Sequence, residues 1–141
     1  MRAKKRKNEA LADVILFSGC DRKEIDQIAS LATEVEIPDG TVLAREGELG
    51  REFYVILDGK ATVGIEGKEV ATLGPGDFFG EMALLDQGPR VATVTAAEDM
   101  EVAVLDPREF ITLLDEHPAV ARKVLKVMAH RLREAEKAPT H

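Results

Sequence analysis

The stretch Phe78-Phe79-Gly80-Glu81-Met82-Ala83-Leu84-Leu85-Asp86-Gln87-Gly88-Pro89-Arg90-Val91-Ala92-Thr93 does not alternate as the segments on either side of it do. Gly80 permits a close backbone approach or a positive φ angle. Glu81 to Leu85 favour helix but are too few to hold one unaided. Gly88-Pro89 stops that turn and hands the chain to a strand. The pattern predicts one short helix lodged inside β structure. The first turn of such a helix presents unpaired backbone N–H groups, which make an anion site. Arg90 follows with a planar fork able to pair with a phosphate.

Outward from this stretch, residues 33 to 106 read as short strands with regular punctuation. Val35 and Ile37 alternate before the turn Pro38-Asp39-Gly40, and Phe53 to Leu57 is an apolar run closed by Asp58-Gly59. Ala61, Val63 and Ile65 alternate up to Glu66-Gly67, and Val70 and Leu73 lead into Gly74-Pro75-Gly76-Asp77. Val91 to Thr95 and Val102 to Leu105 complete the set. Many short strands broken by Gly, Pro and Asp indicate an antiparallel sandwich or barrel.

Helical periodicity flanks this region. Leu11, Val14, Ile15 and then Ile25, Ile28, Ala29, Leu31 mark helices within residues 8 to 32, with Asp21 an N-cap ahead of Glu24. Pro107 suits a first helical turn, with Phe110, Leu113 and Leu114 on its apolar face. His117-Pro118 interrupts that helix. A long helix to about Glu136 follows, with Val120, Val124, Val127 and Arg131 on one face and Ala121, Leu125, Met128 and Leu132 beside it. The fold class is therefore α+β, mainly β: an antiparallel barrel or jelly roll with an internal helix, N-terminal helices and a long C-terminal helix. Residues 1–141 read as one domain: 8–32 helical, 33–106 barrel with its insert at 78–93, and 107–136 helical.

Bulk properties narrow the function. The 141 residues are 45% hydrophobic and 32% charged, an ordinary globular composition. No apolar run approaches the ~18 residues of a membrane span. A single cysteine, Cys20, excludes an internal disulfide and fits a reducing, cytoplasmic setting. The net charge of -7 argues against nucleic acid as a main partner. The Arg2, Lys4, Lys5, Arg6, Lys7 cluster is a local exception, read as a solvated terminus, with docking to an acidic partner or membrane surface as the alternative.

The segment GEMALL…PRVA resembles the phosphate-binding cassette of cyclic-nucleotide-binding domains, as in catabolite-activator-like regulators, protein kinase regulatory subunits and nucleotide-gated channels. Gly47, Gly50, Phe53, Tyr54, Ile56 and Gly59 resemble that family's glycine-spaced second hairpin, and the likeness runs from about Val14 to Leu132. It implies a non-catalytic sensor for a 3′,5′-cyclic purine nucleotide, cAMP or secondarily cGMP, with no other cofactor and no metal. Arg90 would pair with the cyclic phosphate and Glu81 would accept the ribose 2′-hydroxyl. Gly80, Met82, Ala83, Val91 and Ala92 complete the cassette, with backbone N–H groups of Ala83, Val91 and Ala92 as further phosphate donors. Val63, Val70, Ala71 and Leu73 would line the purine pocket, all but Ala71 being core residues in any case. Val91 stands where a Thr or Ser would favour cGMP, which implies a modest preference for cAMP. Family members use the last helix as a lid or a dimer seam, which makes Arg131 a candidate lid contact and a homodimer through this helix an expected assembly. Ala135 and Glu136, aligned after it, lack the hydroxyls those regulators present to adenine.

Rival functions find less support. All three histidines, His117, His130 and His141, lie outside the strands, against a metal enzyme on a similar barrel, and His117 and His130 read as surface residues. Ser18, Ser30 and Cys20 sit in no nucleophile motif. Catabolite-activator-like regulators carry a helix-turn-helix domain after the long helix, which the few residues beyond Leu132 cannot form. The expectation is a short protein beginning at Met1 that acts through an effector, or one domain of a longer chain. A nucleotide-free interaction scaffold is the remaining alternative.

Overall fold

The computed structural model describes residues 7–14, 17, 19–80 and 88–137. Two four-stranded antiparallel sheets form the body. The eight strands are β1 (Thr33–Ile37), β2 (Val42–Ala44), β3 (Phe53–Asp58), β4 (Ala61–Ile65), β5 (Lys68–Leu73), β6 (Phe78–Phe79), β7 (Thr93–Ala96) and β8 (Met100–Leu105). The first sheet runs β1-β8-β3-β6 and the second β2-β7-β4-β5. Around them are α1 (Lys7–Ala12), α2 (Arg22–Leu31), α3 (Pro107–Glu116) and α4 (Pro118–Lys137). The strand expected from Val91 starts instead at Thr93, because Val91 and Ala92 form a bend where the chain leaves the cassette.

Period-2 alternation across the first sheet divides the apolar residues between two cores. Phe53, Val55, Phe78, Ala103 and Leu105 face the helices, meeting Leu11, Ile28, Phe110, Leu113, Val120 and Val124. Tyr54, Ile56, Phe79, Met100 and Val102 face the other way, into the barrel, against Ala44, Ala61, Val94 and Ala96. This explains the unbroken run at Phe53 to Leu57: β3 is buried on both faces, as an interior strand covered by helices must be.

Local chemistry places the helices. Asp21 and Glu24 form a capping box on α2, and Asp106 and Glu109 form another on α3 with Pro107 in the first turn. The α3 cap had no reading in the sequence. His117 corrects an expectation: it is only 2% exposed, whereas His130 lies in solvent as expected. His117 caps α3, and its ring tucks beneath the α2 terminus, with Nδ1 3.4 Å from the Glu24 carboxylate. Helix α4 packs through Val120 and Val124.

Phe53 ties the layers together, its ring 4.5 Å from Phe110 and 5.5 Å from Phe78 between centroids. Phe53→Ala should lower the unfolding free energy by about 3–5 kcal/mol, the usual cost of emptying a fully buried phenylalanine site. Urea denaturation reads this directly, with the midpoint falling and the slope unchanged.

Candidate functional site

Arg90 is the centre of the arrangement. It is 7% exposed, and its side chain runs beneath the loop of residues 45–52 that joins β2 to β3. Two backbone bonds pin the arginine's main chain to that loop: Gly47 N–H donates to the Arg90 carbonyl and Arg90 N–H donates to the Glu48 carbonyl, each at 2.8 Å. Leu49 and Pro89 form a bridge beside them. At the tip of the side chain, Nη2 donates to the Glu52 carbonyl at 2.8 Å. Nη1 is buried and has no partner among the described residues. A buried cation requires an acceptor, and a carbonyl supplies no opposing charge. The geometry can therefore take up an anion.

Gly80 supports the same corner. Its φ of +99° is a conformation that favours glycine. A Cβ there would lie 2.5 Å from the Glu52 oxygen and 2.7 Å from Arg90 Nη1. Glu81, Met82 and Ala83, with the short helix expected to contain them, lie outside the described residues. Arg131 falls within α4, but its side chain also lies outside them.

The strands expected to face a base come together on β4 and β5. Val63 pairs with Ala71 and Ala61 with Leu73, placing Val63, Ala71 and Leu73 along one face. The register slips at Val63/Gly64, leaving Val70 as the unpaired residue of a bulge. Val70 is accordingly 56% exposed and is not the core residue the alternation implied. Ala71 and Val91 are also exposed, while Ala92 is half-buried. The β4–β5 turn has positive φ at Glu66 and Gly67, +53° and +80°, as a two-residue hairpin turn requires. The Glu46 carboxylate accepts from Glu66 N–H at 2.9 Å, and Glu46 N–H donates to Thr93 Oγ1 at 3.0 Å. The same loop thus joins the arginine, the exit of the cassette and the tip of the β4–β5 hairpin.

Sequence reading missed the Glu52 carbonyl and the tie made by Glu46. A carbonyl has no residue signature, and Glu46 is one of many surface glutamates. Behind Arg90 lies Tyr54, stacked on Phe79 at 4.6 Å and 14°. Burial, then the nearby Glu52 carboxylate, push the Tyr54 phenol above its ordinary range, although Arg90 acts the other way. Burial likewise pushes the Cys20 thiol up, the reverse of an activated thiolate. Among the described residues, no group of three or more His, Cys, Asp or Glu is placed to hold a metal ion, and no helix is long and apolar enough to cross a membrane.

Residues 34–117 match the model of the cyclic nucleotide-binding domain family. The crystal structure of Thermus thermophilus catabolite activator protein superposes with a TM-score of 0.79 at 36% identity, covering 86% of this chain and 59% of that one. The cAMP-dependent protein kinase regulatory subunit of Yarrowia lipolytica is 41% identical over 74% of this chain and 28% of its own length. The regulatory subunit of a cAMP-independent protein kinase A from Trypanosoma brucei gives a TM-score of 0.77 at 31% identity, covering 89% of this chain and 46% of that one. The chain thus spans less than two thirds of each of these relatives.

Tyr54 is the chain's only tyrosine, so tyrosinate absorbance reports it alone. Its midpoint should lie above the usual value of about 10. A group whose folded pKa is raised stabilises the fold below its unfolded pKa and loses that contribution as pH rises through the folded value. Stability should therefore fall as pH rises past about 10, and Tyr54→Phe should reduce that fall. A midpoint at or below the ordinary value would contradict the burial seen here.

Proposed function

Since this chain belongs to the cyclic nucleotide-binding domain family, we propose that it is a non-catalytic cytoplasmic sensor that binds a 3′,5′-cyclic purine nucleotide, cAMP in preference to cGMP. The observation that carries this is the buried Arg90, its Nη2 on the Glu52 carbonyl and its Nη1 without a partner among the described residues. The cyclic phosphate supplies the single negative charge that such a site lacks. Glu81, at the cassette position for the ribose, would accept the 2′-hydroxyl, since an ionised carboxylate only accepts. The amides of Ala83, Val91 and Ala92 would add donors to the phosphate, and Val63, Val70, Ala71 and Leu73 would border the purine. Val91 has no hydroxyl to offer a guanine amino group, which favours adenine by about 1 kcal/mol, the net worth of one neutral hydrogen bond.

Calorimetry on protein refolded from denaturant, to remove carried ligand, tests the reading. cAMP should bind, and cGMP more weakly. Arg90→Ala should cost about 2–5 kcal/mol, roughly 30- to several-thousand-fold in Kd, with the fold retained. The Trypanosoma brucei relative is the regulatory subunit of a cAMP-independent kinase, so membership alone does not assign the ligand. A nucleotide-free scaffold would give no heat with either nucleotide, and that result would end this reading.

Occupancy would be relayed to an effector through α4. Its first half is packed through Val120 and Val124, yet Leu125 and Leu132 are 62% and 61% exposed. With Ala121 and Met128 they fall at 4-3-4 spacing, a seam suited to a second helix or to a ligand it covers. This supports α4 as the lid, with Arg131 as its candidate ligand contact, and as the seam of a homodimer. A ligand shifts the helix only as far as it binds the docked state more tightly. Hydrogen exchange should show slower exchange over residues 118–136 when cAMP is added. Unchanged exchange there, beside protection around Arg90, would remove the relay while keeping the binding site.

A further inference from the structure

Gly50 lies against the middle of the Arg90 side chain. A Cβ built on it would fall on Nε, Cζ and Nη2 of the guanidinium, well inside van der Waals contact. Its φ lies outside the left-handed range, so an alanine could adopt this backbone and the obstruction is purely one of space. Gly80 leaves 2.7 Å between its Cβ position and Nη1. The guanidinium therefore occupies a slot for which two glycines from separate segments of the chain make room.

Arg90 cannot slide out of this slot without loss. Its main chain is pinned by Gly47 and Glu48, and its tip by the Glu52 carbonyl, all at 2.8 Å. A methyl group at Gly50 would displace the guanidinium and with it the bond from Nη2 to the Glu52 carbonyl. The obstructing atoms are the end of a long side chain, so the guanidinium itself would have to move, and the bond from Nη2 to the Glu52 carbonyl is what that movement would cost.

We propose that Gly50 is a positioning residue of the anion site, required because the absence of its side chain makes the slot that aims Arg90. The inference rests on the reading of Arg90 as the phosphate ligand. Its role is distinct from that of Gly47, whose φ of +85° answers a turn and whose Cβ position meets nothing within 4 Å.

A four-protein cycle tests it: wild type, Gly50→Ala, Arg90→Ala and the double variant, each measured for thermal unfolding without ligand and for cAMP affinity. Gly50→Ala should weaken cAMP binding by roughly tenfold or more, as expected when a charge-assisted bond is misaligned. It should also lower Tm when Arg90 is present, and leave Tm nearly unchanged in the Arg90→Ala background, where nothing fills the slot. This non-additivity separates a slot from a general packing defect, which would cost the same in both backgrounds. If Gly50→Ala alone fails to fold while the double variant folds, the slot is supported as well. Equal Tm losses in both backgrounds, or wild-type affinity in Gly50→Ala, would overturn the proposal. Absence of cAMP binding in the wild type would instead overturn the nucleotide reading, while the unfolding cycle still decides whether Gly50 makes the slot.

Discussion

Strand β3 has no solvent face. Phe53 and Val55 meet the helices, while Tyr54 and Ile56 meet the barrel interior. A strand that is apolar on both sides cannot take its register from hydrophobic alternation, since a one-residue slip would still bury apolar groups. Its place is set by its neighbours instead. β8 and β6 pair on either side of it, Tyr54 stacks on Phe79, and Phe53 is held between Phe78 and Phe110. The residue just before this strand is Glu52, whose carbonyl receives Arg90. A strand buried on both faces thus sets where the Arg90 side chain ends.

That dependence runs through the main chain more than through charge. The chain is acidic, at -7, and yet it buries an arginine whose Nη2 donates to a backbone carbonyl. Two backbone bonds fix the arginine's main chain and the Glu52 carbonyl its tip, and among the described residues no carboxylate is hydrogen-bonded to Nη1. The loop of residues 45–52 serves a second purpose, because Glu46 also closes the β4–β5 turn. The corner that holds Arg90 and the hairpin that bears Val63 and Ala71 thus share a single support.

The corner between α3 and α4 obeys a similar logic. His117 precedes Pro118, where the helix must stop, and the ring that a surface position would have exposed folds under α2. Glu24 closes the α2 capping box through Oε1 and lies near His117 through Oε2. The helix whose outer face bears Leu125 and Leu132 therefore starts from a fixed point and runs outward to an exposed end.

What could be read without coordinates was what a few neighbouring residues decide among themselves. Gly80 and Gly67 declare their positive φ because that preference belongs to the residue. Asp21 with Glu24 declares a cap because its hydrogen bonds span three residues. The alternation of Ala61 and Val63 and the helical spacing of Val120 and Val124 declare faces for the same reason. The tertiary structure decided the pairings between distant segments, which leave no local mark. Among these are the Glu52 carbonyl that meets Arg90 across 38 residues and the Glu24 that meets His117 across 93. The bulge that turns Val70 outward and the space that Gly50 yields to an arginine belong with them. A glycine written in the sequence looks the same whether it serves a bend or makes room for a neighbour. Only the folded chain distinguishes the two, because the neighbour arrives from another part of the chain.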